Sequence, residues 1–251
     1  KHVGMTEKNR GRLRAFDDPR NVALILNLPK RVIDRTRHND LGIARDALRV
    51  QWAVAVEILL MAPMRLKNLV GLHIDDHIQR TRASDGTVHL VIPGEQVKNG
   101  EPLDYCLPRE TTELLDIYLR DFRPRLCTPE NPWLFPGRSA NRPKSDHTFS
   151  VQLKRFIQNE TGLEIHVHLF RHLAAKLFLD QNPGQYESVR RHLGHLRPRR
   201  SRAARAKNVV CRPHWRRRWR RGRGRAGGWL GAPQPRALLA AGAWELVLGW
   251  L

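Results

Sequence analysis

At Arg197 the chain changes character, and that break limits what can fold. From Arg197 to Leu251 there are 15 Lys and Arg against one acid, Glu245, together with five of the seven tryptophans. The first 196 residues hold 30 basic and 23 acidic residues, a far more ordinary balance. A segment as arginine-rich as the tail has too little apolar surface to offset its ordering entropy. The tail is therefore expected to be disordered, and any core must come from the residues before it. Three regions follow: residues 1–44 as the remnant of an N-terminal region or linker, 45–196 as the folded domain, and 197–251 as the tail.

Within residues 1–196 the apolar spacing predicts a mainly helical α+β fold with a small antiparallel three-stranded sheet. Asn21 to Ile33 reads as two short helices broken at Pro29. Ala44 to Met61 has a broad apolar face at helical spacing, with Leu48, Trp52, Val56, Leu59 and Leu60, and Pro63 ends it. Leu66 to Leu72 reads as a short helix with Arg65 at its start. His73 to Ile78, Val88 to Pro93 and Leu103 to Leu107 read as three strands, and Asn99-Gly100 marks the turn between the last two. Lys98 then sits on or beside that turn, with its ammonium directed outward. Thr111 to Phe122 reads as a helix, and Trp133 to Pro136 as a short extended segment. A helix capped by Ser145 runs to about Asn159 and closes at Gly162. Leu169 to Leu179 is the next helix, and Glu187 to Leu193 forms a short one.

Charge narrows the function classes. A net charge of +21 and a pI near 11.3 point to polyanions, nucleic acid before an anionic membrane. The three cysteines, Cys106, Cys127 and Cys211, form no metal-ligand spacing and read as thiols of a reducing cytoplasm. No apolar run is long enough to span a bilayer. His166, His168, His172, His192 and His195 lack thiol or carboxylate partners at a known spacing, so neither zinc nor a metal-dependent nuclease is expected.

The chemistry concentrates in five residues. His168 and Arg171 lie three apart at a helix start and share a face. Arg65 sits far upstream, where a helix N-terminus adds its free N–H groups to the pull on an anion. Lys98 lies between them, and His195 follows in Leu193-Gly194-His195. Arginine grips phosphate oxygens bidentately and keeps its charge, while histidine and lysine can move protons near neutral pH. Together these residue types suit a phosphodiester.

Their order resembles the tyrosine recombinase (phage integrase) family. His168-Leu169-Phe170-Arg171-His172 with Ala174-Ala175 resembles its HxLRHxxA box, and Val189 to His195 its Leu-Gly-His box. Met64-Arg65-Leu66-Lys67-Asn68-Leu69 resembles the upstream arginine box, with Asn68 where the family usually has Glu. The resemblance covers roughly residues 45 to 195. It implies an integrase-type catalytic domain that breaks and rejoins double-stranded DNA through a 3′-phosphotyrosyl intermediate, without metal or other cofactor, alongside other recombinase protomers. Arg65 and Arg171 would hold the non-bridging oxygens and His195 would donate a further hydrogen bond. Lys98 would protonate the leaving 5′-hydroxyl, and His168 would assist proton transfer at the nucleophile.

The nucleophile itself is missing. Tyr105, Tyr118 and Tyr186 all precede His195, whereas the family's tyrosine follows it. Two accounts of the tail remain open. It is either a real basic arm that mixes arginine with Trp and Gly, as nucleic-acid-binding segments do, or an out-of-frame reading of a GC-rich gene. The Lys at position 1 and the short region before the first long helix fit a fragment that lacks most of the family's N-terminal DNA-binding domain. The expectation is a recombinase domain that is catalytically inactive as it stands. The alternative is a non-catalytic nucleic-acid binder that uses its Arg/Trp-rich tail.

Overall fold

The computed structural model describes residues 7–81, 87–138, 141–186, 188, 189 and 193. Glu187 to Leu193 lies mostly outside that set, and His195 and the tail lie wholly outside it.

The fold is built around one buried helix. Helix α3 (Ala44–Met61) follows α1 (Glu7–Arg14) and α2 (Pro19–His38), and every residue from Val50 to Met61 is buried. The broad apolar face read from the sequence is thus a helix enclosed on all sides. Its two buried polar members each make a hydrogen bond, although Gln51 Oε1 has no partner among the described residues. Gln51 Nε2 donates to the Tyr118 hydroxyl at 3.2 Å, and that hydroxyl donates to the Leu134 carbonyl at 2.9 Å. Thr111 Oγ1 donates to Glu57 Oε1 at 2.5 Å. Leaving either buried group unsatisfied would cost about 1–3 kcal/mol.

Helix α2 corrects the sequence reading. It runs unbroken through Pro29. An interior proline costs about 3 kcal/mol, but each large apolar side chain buried returns roughly 1.5–3 kcal/mol. Val22, Ile25, Leu26, Leu28, Val32 and Ile33 are all buried, so packing decides the outcome. Asp18 caps the helix by accepting the Arg20 N–H at 2.8 Å, with Pro19 in the first turn. Leu13 and Phe16 join the same continuous core as residues 47–177.

After α4 (Leu66–Val70) comes a second correction. His73 to Ile78 is not a strand. Ile74–His77 makes one helical turn, α5, and the strand β1 is only Ile78–Arg80. The His77 ring accepts the His73 N–H and so completes a closed turn where a strand would need that donor for its neighbour. β2 (Val88–Ile92) and β3 (Leu103–Leu107) complete an antiparallel sheet in the order β1-β2-β3, with Ile78 opposite Leu90 and Leu90 opposite Tyr105. Alternation puts Val88, Leu90, Ile92, Leu103, Tyr105 and Leu107 inward.

Helix α6 (Arg109–Ile117) starts earlier than expected and ends in a π turn, Tyr118–Phe122, which places both of those rings in the core. The Trp133 to Pro136 segment pairs at both ends, Trp133 with His73 and Pro136 with Pro143. α7 (Asp146–Thr161) is capped by Ser145 Oγ on the Thr148 N–H and closed by Gly162 at φ 76°. α8 (Val167–Gln181) is slightly longer than expected. Among the described residues no helix is long and apolar enough to cross a membrane.

Candidate functional site

Arg171 joins the site's separate pieces. It projects from the second turn of α8 and is only 1% exposed. Its Nη1 donates to the Pro63 carbonyl at 2.6 Å and its Nη2 to the Leu193 carbonyl at 2.7 Å. One carbonyl lies two residues before Arg65, and the other belongs to the Leu-Gly-His box. A single guanidinium therefore spans three sequence segments that are far apart in the chain. Burial lowers its pKa to about 10, with Tyr105 raising and Arg65 lowering it. It remains a cation at neutral pH.

Arg65 arrives because α3 stops at Ala62-Pro63 and the chain runs extended to the start of α4. It is half-buried. In α4, Asn68 is buried, and its Nδ2 finds no hydrogen-bond partner among the described residues. Arg65 and Arg171 both lower the basicity of His168, after desolvation. The three side chains thus share one electrostatic neighbourhood.

His168 occupies the first turn of α8, between two other imidazoles. The His166 ring lies parallel to it at 6.4 Å between centroids, and the His172 ring meets it edge-on at 4.9 Å. His172 is buried. His166 Nε2 lies 3.0 Å from Asn9 Oδ1, which can only accept, so Nε2 carries the proton. Burial first, then Arg12, His168 and Lys154, push the His166 pKa down to about 4. With its own pKa also lowered, His168 is mainly neutral at pH 7 and can act as a base.

Lys98 is exposed on the β2–β3 connection, in a turn closed by the Gly100 N–H on the Val97 carbonyl at 2.9 Å. No hydrogen bond or ion pair to another described residue holds its ammonium. His195 lies outside the described residues, although Leu193 is fixed by Arg171. The described residues contain no group of three or more His, Cys, Asp or Glu that could hold a metal ion.

Sequence reasoning missed Tyr105. It is 5% exposed on β3, and burial drives its phenol pKa up to about 12 despite the Arg171 and Arg65 charges. Its only signal in the sequence is the inward phase of β3. A phenol so buried and so weakly acidic is poorly suited to attack a phosphodiester. Tyr118 is fully buried and already bonded to Leu134.

Comparison with known proteins places the chain in a known family. Residues 31–201 match the phage integrase family. Tyrosine recombinase XerC of Pseudomonas savastanoi pv. phaseolicola is 28% identical over 172 residues, which cover 67% of this chain and 52% of that protein. The chain spans about half the length of the curated relative it matches. Two solved structures share the fold. XerH site-specific recombinase bound to difH substrate in a pre-cleavage complex is 21% identical, with a TM-score of 0.50, over 68% of this chain and 45% of that one. XerH bound to palindromic difH substrate in a post-cleavage complex is 20% identical, with a TM-score of 0.51, over 69% and 45%.

Proposed function

We propose that this chain, which belongs to the phage integrase family, carries the phosphodiester-binding part of a site-specific DNA recombination centre but not its nucleophile. One observation supports this most. Arg171 donates to the Pro63 carbonyl, two residues before Arg65, and this brings two guanidiniums together so that the charge of one works against the other. An entering phosphate removes that repulsion and gains bidentate, charge-assisted hydrogen bonds. In this reading Arg65 and Arg171 bind the non-bridging oxygens, and His195 adds a donor. His168 takes the proton from an attacking hydroxyl, and Lys98 gives one to the leaving 5′-oxygen. Cations set in place before the reaction stabilise charge that grows in the transition state, often the largest catalytic term. The partner is double-stranded DNA, with further recombinase protomers, in the cytoplasm. No cofactor enters the scheme.

The missing tyrosine defines the first test. Incubated with duplex DNA, the protein is expected to form no covalent adduct on denaturing gels. An adduct that survives denaturation would overturn the inactive reading.

The tail supplies a rival reading, in which its 15 basic residues bind nucleic acid without any site. Arg65→Ala separates the two readings. If the site binds phosphate, the substitution lowers affinity for duplex DNA roughly 5- to 10-fold and reduces the salt slope by about one. Deleting Arg197–Leu251 leaves part of the affinity. If the tail alone binds, Arg65→Ala changes nothing and the deletion abolishes binding.

A further inference from the structure

The connection between β2 and β3 is anchored more firmly than a hairpin turn requires. His77 is 4% exposed at the end of α5. Its Nδ1 accepts the His73 N–H at 2.8 Å, and its Nε2 lies 3.0 Å from Gln96 Oε1. A backbone N–H can only donate, so Nδ1 is the acceptor and Nε2 bears the proton. The ring therefore donates to Gln96, two residues before Lys98.

The rest of the connection is also pinned. Gly94–Gln96 forms a short 3-10 turn, closed by Gln96 N–H on Pro93 and Val97 N–H on Gly94. Val97 is buried, and a Cβ at Gly94 would collide with the Gly100 carbonyl oxygen. The platform under His77 is fixed in turn. Ile74 N–H donates to Pro132, and Leu134 N–H donates to Leu72. Arg123 clamps the carbonyls of Asn131 and Trp133.

We propose that His77 is a positioning residue that docks the turn carrying Lys98 onto the body of the domain through Gln96. This rests on the reading of Lys98 as the leaving-group acid and adds what sets its place. An untethered lysine turn would have to be ordered each time DNA binds, whereas a docked one has that entropy already removed. The neutral ring suits the role. Burial holds His77 below the ordinary imidazole range, with His73 acting in the same direction and Gln96 and Asp76 opposing. A protonated ring would place a second donor against the His73 N–H.

The test uses the full chain. Gln96→Leu removes an exposed acceptor without touching the core, and Gln96→Glu keeps an acceptor for His77. Amide hydrogen exchange of Val97 and Gly100 is expected to quicken roughly three- to tenfold in Gln96→Leu. It should stay near wild type in Gln96→Glu, with the β2–β3 ladder unchanged in both. Unchanged exchange at Val97 and Gly100 in Gln96→Leu overturns the dock.

A second readout addresses Lys98 itself. Its acylation is measured by mass spectrometry, with and without a mixed-sequence duplex at low salt. Protection by DNA in the wild type and its loss in Gln96→Leu support the proposal. Equal protection in both overturns the positioning role while leaving the Lys98 reading intact. No protection in the wild type overturns the Lys98 reading, and the functional half of the proposal goes with it.

Discussion

Replacing Arg171 with methionine is expected to destabilise the fold by about 2–4 kcal/mol, in addition to weakening DNA binding. The site reading alone predicts only the second effect. The first follows from the two carbonyls that Arg171 holds. Pro63 closes α3 and sets the path to Arg65, and Leu193 belongs to the box that ends in His195. Methionine fills similar volume but donates nothing, so both carbonyls lose a charged donor in a dry setting. Removing the buried cation returns some desolvation energy, which keeps the net cost below the sum of two lost bonds. Against a total stability of 5–15 kcal/mol for a typical domain, a loss of this size is easily seen. Arg171→Lys is expected to fall between wild type and methionine, because a single ammonium lacks the planar fork that reaches two carbonyls at once. Denaturant midpoints of the three proteins check this. Identical midpoints, with only DNA affinity reduced, would show that Arg171 is a ligand and not a structural bridge.

This double role also shows where sequence reading stops. His168 and Arg171 were legible because their spacing is local and side chains three apart on a helix must share a face. The bounds of α3 and β3, the Ser145 cap and the Gly162 stop were legible for the same reason. Each is written in consecutive residues. The partners of Arg171 were not, because a backbone carbonyl has no signature in sequence. Pro29 misled because its local cost is visible and the burial that outweighs it is not. His77 was read in a strand because alternation over so few residues cannot reveal a ring that folds back onto its own backbone. The docking of α1 was equally hidden. Asn9 meets His166, and Arg12 pairs with Glu164 at 2.6 Å, across more than 150 residues of chain. Leu13, Phe16 and the inner face of α2 are part of the main core, which no local pattern in residues 1–44 announces.

That same contact between α1 and α8 makes stability sensitive to mild acid. The folded protein is expected to weaken as pH falls below about 6.5. His166, His168 and His77 all have folded pKa values lowered from the ordinary imidazole value, desolvation being the leading cause in each. The folded state therefore binds fewer protons than the unfolded chain, and the stability these rings contribute is present above the unfolded pKa and lost below it. His166 sets the window, since its folded pKa is about 4. It faces Arg12 from α1, Lys154 from α7 and His168 in the first turn of α8, so a proton on it meets two cations and a neighbouring imidazole. Allowing for its remaining contact with solvent, its share between pH 7.5 and pH 5 is about 1–2 kcal/mol. The depressed carboxyls of Glu160, Glu164, Asp40 and Asp121 act in a later window, below their ordinary range. His166→Gln keeps a donor for Asn9 and cannot take the proton. Urea unfolding at pH 7.5 and pH 5 should show the wild type losing more stability than His166→Gln, by that 1–2 kcal/mol. Equal losses would mean that His166 is not the group the fold keeps neutral.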